Sequence, residues 1–299
     1  MAFPASEAPL DCDVDVFNGV KVQVAALGEA EDFEGALKES LAVWAREGRT
    51  GVWLFVPNSR ASWIPTALRQ GFDFHHAKPG QAALIKWLPT TTPCMIPRAP
   101  FTQVGVGAVI FNSEDEILCV QEALGPLRGK GVWKIVTGSA DPGESICTAA
   151  EREVFEETGL RTSFDQCLLI RHRYPSATAN SDLYFVCALK LNAENQELVI
   201  DKTELTAAKW IKFQDYLTQP CWSEGTIGKV YREEINPVIE RYRSGGFRSG
   251  LTATSSEGDS KYGKHSVYKA AAAGARANHR LTSLFRPFRS GLGFMRRLL

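Results

Sequence analysis

Several things are missing from this sequence, and each absence narrows what it can be. No run approaches the roughly 18 consecutive apolar residues that a membrane-spanning helix needs, so none is expected. The seven cysteines form no Cys-x-x-Cys pair and are odd in number, which argues against a structural zinc site and a disulfide framework. The segment Met1 to Phe17 has no basic stretch ahead of an apolar core and is acidic, so neither a secretory leader nor a transit peptide is expected. A reducing compartment, cytoplasmic or nuclear, is the expectation. No internal repeat is visible. Net charge is absent too, but its sum of zero hides an uneven spread. From Arg241 onward twelve Lys or Arg face two acids, a surplus of ten, so residues 1–240 carry ten net negative charges. That acidic body argues against general nucleic-acid binding.

What is present is ordinary globular composition, with 44% hydrophobic and 23% charged residues over 299 positions. This suits one or two domains with a sizeable core. Val20–Val24 alternates as a half-buried strand. Phe33, Leu37, Leu41 and Trp44 mark one face of a helix that Gly48 stops, and Gly51–Val56 reads as a buried strand. A short helix near Trp63–Gln70 and a strand at Ala82–Trp87 complete a first α/β unit. Pro89-Thr-Thr-Thr-Pro93 reads as a linker. Beyond it, Val104–Phe111 and Ile117–Gln121 flank the polar turn Asn112–Glu116, the composition of a hairpin. Strands are expected at Cys167–Arg173, Asp182–Leu189 and from Ala208, and a helix over Tyr231–Tyr242. From about Ser244 to Ala275, Gly, Ser, Ala and Arg dominate and disorder is expected.

One motif carries chemistry. Gly138 is followed after five residues by Glu144, then after seven more by Arg152-Glu153-Val154-Phe155-Glu156-Glu157-Thr158-Gly159-Leu160. The pattern G-x5-E-x7-R-E-U-x-E-E-x-G-U, with U aliphatic, is met at all nine specified positions. At ordinary residue frequencies an accidental match in such a chain is on the order of one in ten million. Ser145 suits a helix N-cap and Gly159 the glycine past its end. Glu153, Glu156 and Glu157 then share helical spacing i, i+3, i+4. Three carboxylates on one face repel unless a positive partner sits there, and a hard cation such as Mg²⁺ or Mn²⁺ is the obvious candidate. Arg152 can pair with Glu144 or Glu156. A solvated acidic face is the bland reading of Arg152–Glu157 alone; the full pattern displaces it.

This pattern resembles the box of the Nudix hydrolases. Gly71–Ala77, Ala83–Pro89, Val104–Ala108 and Ser181–Cys187 extend the likeness to a subfamily. It includes plant cytosolic ADP-ribose/NADH pyrophosphatases and the animal Nudix protein encoded antisense to basic fibroblast growth factor. The resemblance covers about residues 15–225. It implies an α/β (α+β) fold with a GNAT-like pre-Nudix domain at 1–95 and a Nudix α/β/α sandwich at 96–225. A C-terminal helix at 226–243 and a basic, largely disordered tail at 244–299 follow. It implies metal-dependent cleavage of a diphosphate linkage, with metal on Glu153, Glu156 and Glu157. The base is Glu153 or the later Glu204, for which a plain surface role is the competing reading. The first domain is expected to scaffold, dimerise or cover substrate rather than transfer acetyl groups. In its nearest approach to a pyrophosphate loop, Arg46–Gly51, Arg49 stands where a glycine belongs.

This chain departs from its relatives at Val136, where a proline is usual, at Ser139-Ala140, and at Tyr174, where histidine is common. Substrate expectations therefore rest on few residues. ADP-ribose or NADH leads; oxidised-nucleotide or RNA-cap hydrolysis, and a non-catalytic ligand-sensing or protein-binding module, are the alternatives. Trp133, Tyr174 and Phe185 are candidates to stack on a base, with core packing the competing reading of each. Residues 276–299 mix arginine with Leu, Phe and Met, a composition that suits weak contact with anionic lipid or another polyanion. Pro287, Gly291 and Gly293 interrupt any helix there, and a tail with no fixed partner is the leading reading. Because the motif lies outside it, removing residues 250–299 is expected to leave hydrolysis unaltered within a few-fold.

Overall fold

The computed structural model describes residues 8–24, 32–173, 181–245, 250–256 and 265–270. The chain divides into two compact units, Met1–Pro100 and Phe101–Leu299. Both mix helices with sheets.

In the first unit the strands are β1 (Asp13–Val14), β2 (Val20–Gln23), β3 (Gly51–Pro57), β4 (Asp73–Lys78) and β5 (Gln81–Trp87), and the helices are α1 (Phe33–Arg46) and α2 (Ile64–Arg69). The sheet order is β1-β2-β3-β5-β4. Helix α1 starts at Asp32, whose carboxylate accepts from the Gly35 amide at 2.7 Å. Its Phe33, Leu37, Leu41 and Trp44 are buried with Val20, Val22, Val52 and Leu54. Burying each such side chain is worth about 1.5–3 kcal/mol. The sequence pattern had not marked β4, because its exposed Asp-Phe-His-His-Ala-Lys run lacks apolar alternation.

The end of α1 shows what the backbone of Arg46–Gly51 does. Gly48, at φ +67°, takes the left-handed position past the helix. The Gly48 amide donates to Ala45 O at 3.2 Å and the Arg49 amide to Trp44 O at 2.9 Å, a Schellman turn. Arg49 is 3% exposed and binds Glu47 and Asn18, each at 2.9 Å. An anion-binding loop sits at the positive N-terminus of a helix. Arg46–Gly51 instead follows the negative C-terminus, and its amides are spent on capping.

The second unit contains β6 (Thr102–Ile110), β7 (Glu116–Glu122), β8 (Val136–Ser139), α3 (Ile146–Thr158), β9 (Thr162–Arg173), β10 (Ser181–Leu191) and β11 (Leu205–Lys212). Then come α4 (Phe213–Leu217), α5 (Gly225–Val230), α6 (Asn236–Arg243), β12 (Leu251–Ser256) and β13 (His265–Ala270). One sheet has the order β13-β12-β9-β10-β6-β8 and the other is the pair β11-β7. The expected hairpin is corrected. The turn is where composition put it, with Asn112 N to Glu116 O at 3.0 Å. The strands it joins nevertheless part into different sheets and keep only the bridge Phe111↔Ile117. Both are apolar on two faces, and such strands belong between layers rather than in a half-exposed hairpin.

The Tyr231–Tyr242 helix is interrupted. Tyr231–Ile235 forms a π turn ahead of Pro237, which has no amide to continue the α ladder. The disorder expected at 244–275 is also corrected in part, since β12 and β13 pair over six positions and Leu251 pairs with Cys167 of β9. Thr252, Thr254, Val267 and Tyr268 are strand-prone types that the composition count overlooked. A clean removal of the tail therefore falls after Ala270; the amphipathic 276–299 segment lies outside the described residues.

Calorimetry with the full chain is expected to show no saturable acetyl-CoA binding, because Arg46–Gly51, the nearest approach to a pyrophosphate cradle, is a helix C-cap. Micromolar binding would overturn that reading of the first unit.

Candidate active site

The motif folds as a strand, a loop and a helix. Strand β8 carries Gly138 out of the six-stranded sheet, and residues 140–145 turn through Gly143 at φ +82°. Ser145 then caps α3, accepting from the Thr148 amide at 3.1 Å, and Gly159 ends it at φ +73°. Ala149, Ala150 and Val154 bury α3 against Val106, Ala108, Val136, Cys187 and Leu189. The two alanines allow close approach between helix and sheet.

Gly138 is required by proximity. A Cβ there would stand 1.9 Å from the Glu153 carboxyl carbon. The Glu153 carboxylate occupies that space and accepts from the Ser139 amide at 3.0 Å. Burial raises the pKa of Glu153, and the neighbouring Arg152 opposes the rise.

Arg152 is the hub. Its Nε and Nη2 hold both oxygens of Glu144, each at 2.9 Å. Nη1 reaches Glu153 at 3.0 Å and Glu156 at 2.9 Å, and Nη2 also reaches Ser139 O at 2.8 Å. A guanidinium has five N–H donors, and these contacts use five. Burial alone would lower the pKa of Arg152, but hydrogen bonds and charge from Glu144, Glu153 and Glu156 outweigh it and hold it above its ordinary value. Glu144 also accepts from the Asp141 amide at 3.0 Å, which closes the loop on itself.

The three helical glutamates differ in setting. The Glu156 side chain is 56% exposed and that of Glu153 12%, while Glu157 is 1% exposed and faces the core side with Val154. The single acidic face expected from spacing is thus a gradient from core to solvent. Among the described residues no three carboxylate, imidazole or thiol groups converge as an ion-binding cluster. Glu153 and Glu156 are turned onto Arg152 instead.

Glu204 lies in a loop docked on the end of α3. The Val199 amide donates to Thr158 O at 2.9 Å and the Asp201 amide to Glu157 O at 3.2 Å. Thr203, bonded to Asp201 through hydroxyl and amide at 2.7 and 2.8 Å, tightens this turn and lowers the Asp201 pKa. Glu204 is half-buried, and its carbonyl accepts from the Ala123 amide at 2.8 Å. The loop thus connects Glu204 to the backbone of the box.

The aromatic candidates do not assemble into one stacking surface. Trp133 packs beside the cluster of Val132, Tyr216 and Trp222, its backbone held by the Gln219 amide at 2.9 and 2.8 Å and its ring covered by Lys209 Nζ at 4.3 Å. Phe185 packs against the other cluster, beneath α3. Tyr174 lies outside the described residues. Sequence reasoning missed Ser139, whose contacts are made by its backbone, and the buried pair Lys134–Glu122. The only signal of that pair was a lysine among Val132, Ile135 and Val136.

A sequence profile described as a Nudix hydrolase domain matches residues 10–88, and one described as a NUDIX domain matches 101–231. Nudix hydrolase 8 of Arabidopsis thaliana is 37% identical over 212 residues, 71% of this chain and 57% of that protein, so the match spans little more than half of that relative. Nudix hydrolase 10 of the same plant is 35% identical over 241 residues, 80% of this chain and 83% of that protein. The human nucleoside diphosphate-linked moiety X motif 6 protein is 38% identical over 195 residues, 62% of this chain and 60% of its own length.

Arg152→Lys keeps the charge and loses the fork. It is expected to cost about 2 kcal/mol in urea unfolding, from lost charge-assisted hydrogen bonds, and to speed amide exchange at Asp141. Unchanged stability and exchange would show that the hub does not hold the loop.

Proposed function

The chain belongs to the Nudix hydrolase family, and from that premise we propose that it cleaves the diphosphate linkage of a nucleoside diphosphate derivative, ADP-ribose or NADH first. The observation that carries the reading is the intact set of box carboxylates, with Glu144, Glu153 and Glu156 gathered by Arg152 and Glu153 seated over Gly138. The name of the human relative, a nucleoside diphosphate-linked moiety X protein, supports the substrate class.

Nudix hydrolases use divalent metal cations. The residues fit such an ion by donor type, since Glu153, Glu156 and Glu157 offer carboxylate oxygens from one helix, the ligands that Mg²⁺ and Mn²⁺ prefer. In this reading those three hold Mg²⁺ or Mn²⁺. When bound, the ion neutralises phosphoryl charge and lowers the pKa of a water. Arg152 and Glu144 fix the loop ahead of α3, so the carboxylates are oriented before substrate arrives. Glu153 or Glu204 takes the proton from the attacking water. Glu204 is favoured because Arg152 already binds Glu153 and because the loop that carries Glu204 is anchored to the end of α3. The products of ADP-ribose are then AMP and ribose 5-phosphate.

Residues 1–95 are read as a GNAT-like domain that scaffolds, dimerises or covers substrate; the capped turn at Arg46–Gly51 supports only the part of that reading that sets acetyl transfer aside.

With Mg²⁺ or Mn²⁺, the full chain is expected to release AMP from ADP-ribose. Glu157→Gln should lower turnover by at least about a hundredfold with unchanged melting. Glu204→Gln should lower kcat by on the order of 10²-fold or more if it is the base. Wild-type turnover in Glu157→Gln sinks the metal assignment. Pyrophosphate from nucleoside triphosphates, with no AMP from ADP-ribose, moves the substrate to the sanitising class. No release from any nucleotide favours a non-catalytic module.

A further inference from the structure

We propose that Lys134 is a positioning residue that holds the Glu204 loop in register with the box. This rests on the assignment of Glu204 as base above. Lys134 is 4% exposed, yet it carries an ammonium group. Its Nζ donates to Glu122 Oε1 at 3.0 Å and to Thr137 Oγ1 at 2.6 Å. Thr137 precedes Gly138, over which the Glu153 carboxylate sits. Glu122 precedes Ala123, whose amide holds the Glu204 carbonyl at 2.8 Å. One side chain therefore spans from the strand beneath one candidate base to the strand end whose next amide holds the backbone of the other.

Backbone alone joins these strands weakly. Strands β7 and β8 belong to different sheets, and the segment just ahead of β8 meets β7 at the isolated bridge Val120↔Lys134. Its two hydrogen bonds, 2.8 and 3.1 Å, act as a hinge rather than a ladder. The Lys134–Glu122 pair adds a second tie two residues along β7, at the residue that pairs with Leu205, next to Glu204.

Stability does not account for such a pair. Burying a charge carries a large desolvation cost, and replacing a buried ion pair by apolar side chains of similar volume is often neutral or stabilising. What an ion pair supplies and an apolar pair does not is directional geometry. Misplacing a reacting group by about 1 Å costs on the order of a hundredfold in rate, so a tie of this kind acts on turnover.

The test uses the full chain with ADP-ribose and Mg²⁺, kinetics beside amide exchange. Lys134→Met is expected to lower kcat roughly tenfold to a hundredfold and leave KM within about twofold. It should accelerate exchange of the Ala123 amide while the Ser139 amide, held in the Arg152 network, is unchanged. In a Glu204→Gln background the same substitution should add no more than about twofold, because both act through one group. Should Lys134→Met not fold, Lys134→Met with Glu122→Gln leaves no unpaired buried charge and must show the same pattern. Turnover within about twofold of wild type, or losses that multiply in the Glu204→Gln background, overturns the proposal. A parallel rise in KM with no change at Ala123 overturns it as well. Wild-type turnover in Glu204→Gln alone overturns the base assignment instead, and the tie is then decided by Ala123 exchange.

Discussion

A guanidinium with all five of its donors engaged is what the loop ahead of α3 hangs on. Like-charged neighbours at helical spacing cost about 0.2–0.5 kcal/mol for each pair, and α3 carries three glutamates within five residues. Hydrogen bonds to charged groups contribute about 1.5–3 kcal/mol each, so Arg152 more than offsets that repulsion. It binds the glutamates at one and four positions along its own helix and closes the loop through Glu144. A lysine at the same position has three donors from a single nitrogen and cannot make the bidentate contact.

Around that hub the constraints are steric. Gly138 leaves the space that Glu153 fills, and Gly159 turns the chain where a Cβ would approach Val199 to 3.1 Å. Val199 opens the loop that returns to α3 and carries Glu204. The two glycines of the motif thus do different work, one admitting a carboxylate and the other admitting a loop. Between them the apolar face of α3 fixes the helix on its sheet, and the buried Glu157 shares that face.

The motif was legible in sequence because its chemistry imposes fixed spacing. A cap, a fork and a row of carboxylates must sit at set positions on a helix, and Ser145, Arg152 and Gly159 stand where that logic puts them. Long amphipathic patterns were legible too, as α1 shows. What escaped depends on partners far away in the chain. The apolar runs of β6 and β7 specify burial but not which sheet receives each, so the turn between them suggested a hairpin. Strand β4 is exposed on both sides and carries no alternation. The hairpin of β12 and β13 sits in a segment whose Gly and Ser content masks its Thr, Val and Tyr. Lys134 looked like any charged residue until its 4% exposure and its partners were visible. The aromatic residues were ambiguous for the same reason: an adenine platform and a core residue share one composition, and Trp133 and Phe185 turn out to pack in different clusters.

At the centre stands the idea that the helical carboxylates Glu153, Glu156 and Glu157, two of which Arg152 binds, take the divalent ion. Electron paramagnetic resonance titration of Mn²⁺ into the full chain, wild type against Glu156→Gln, tests it most directly. The account predicts tight Mn²⁺ binding in the wild type and a loss of at least about tenfold in affinity in the variant, with melting unchanged. Equal affinity in the two proteins would contradict it and place the ion elsewhere.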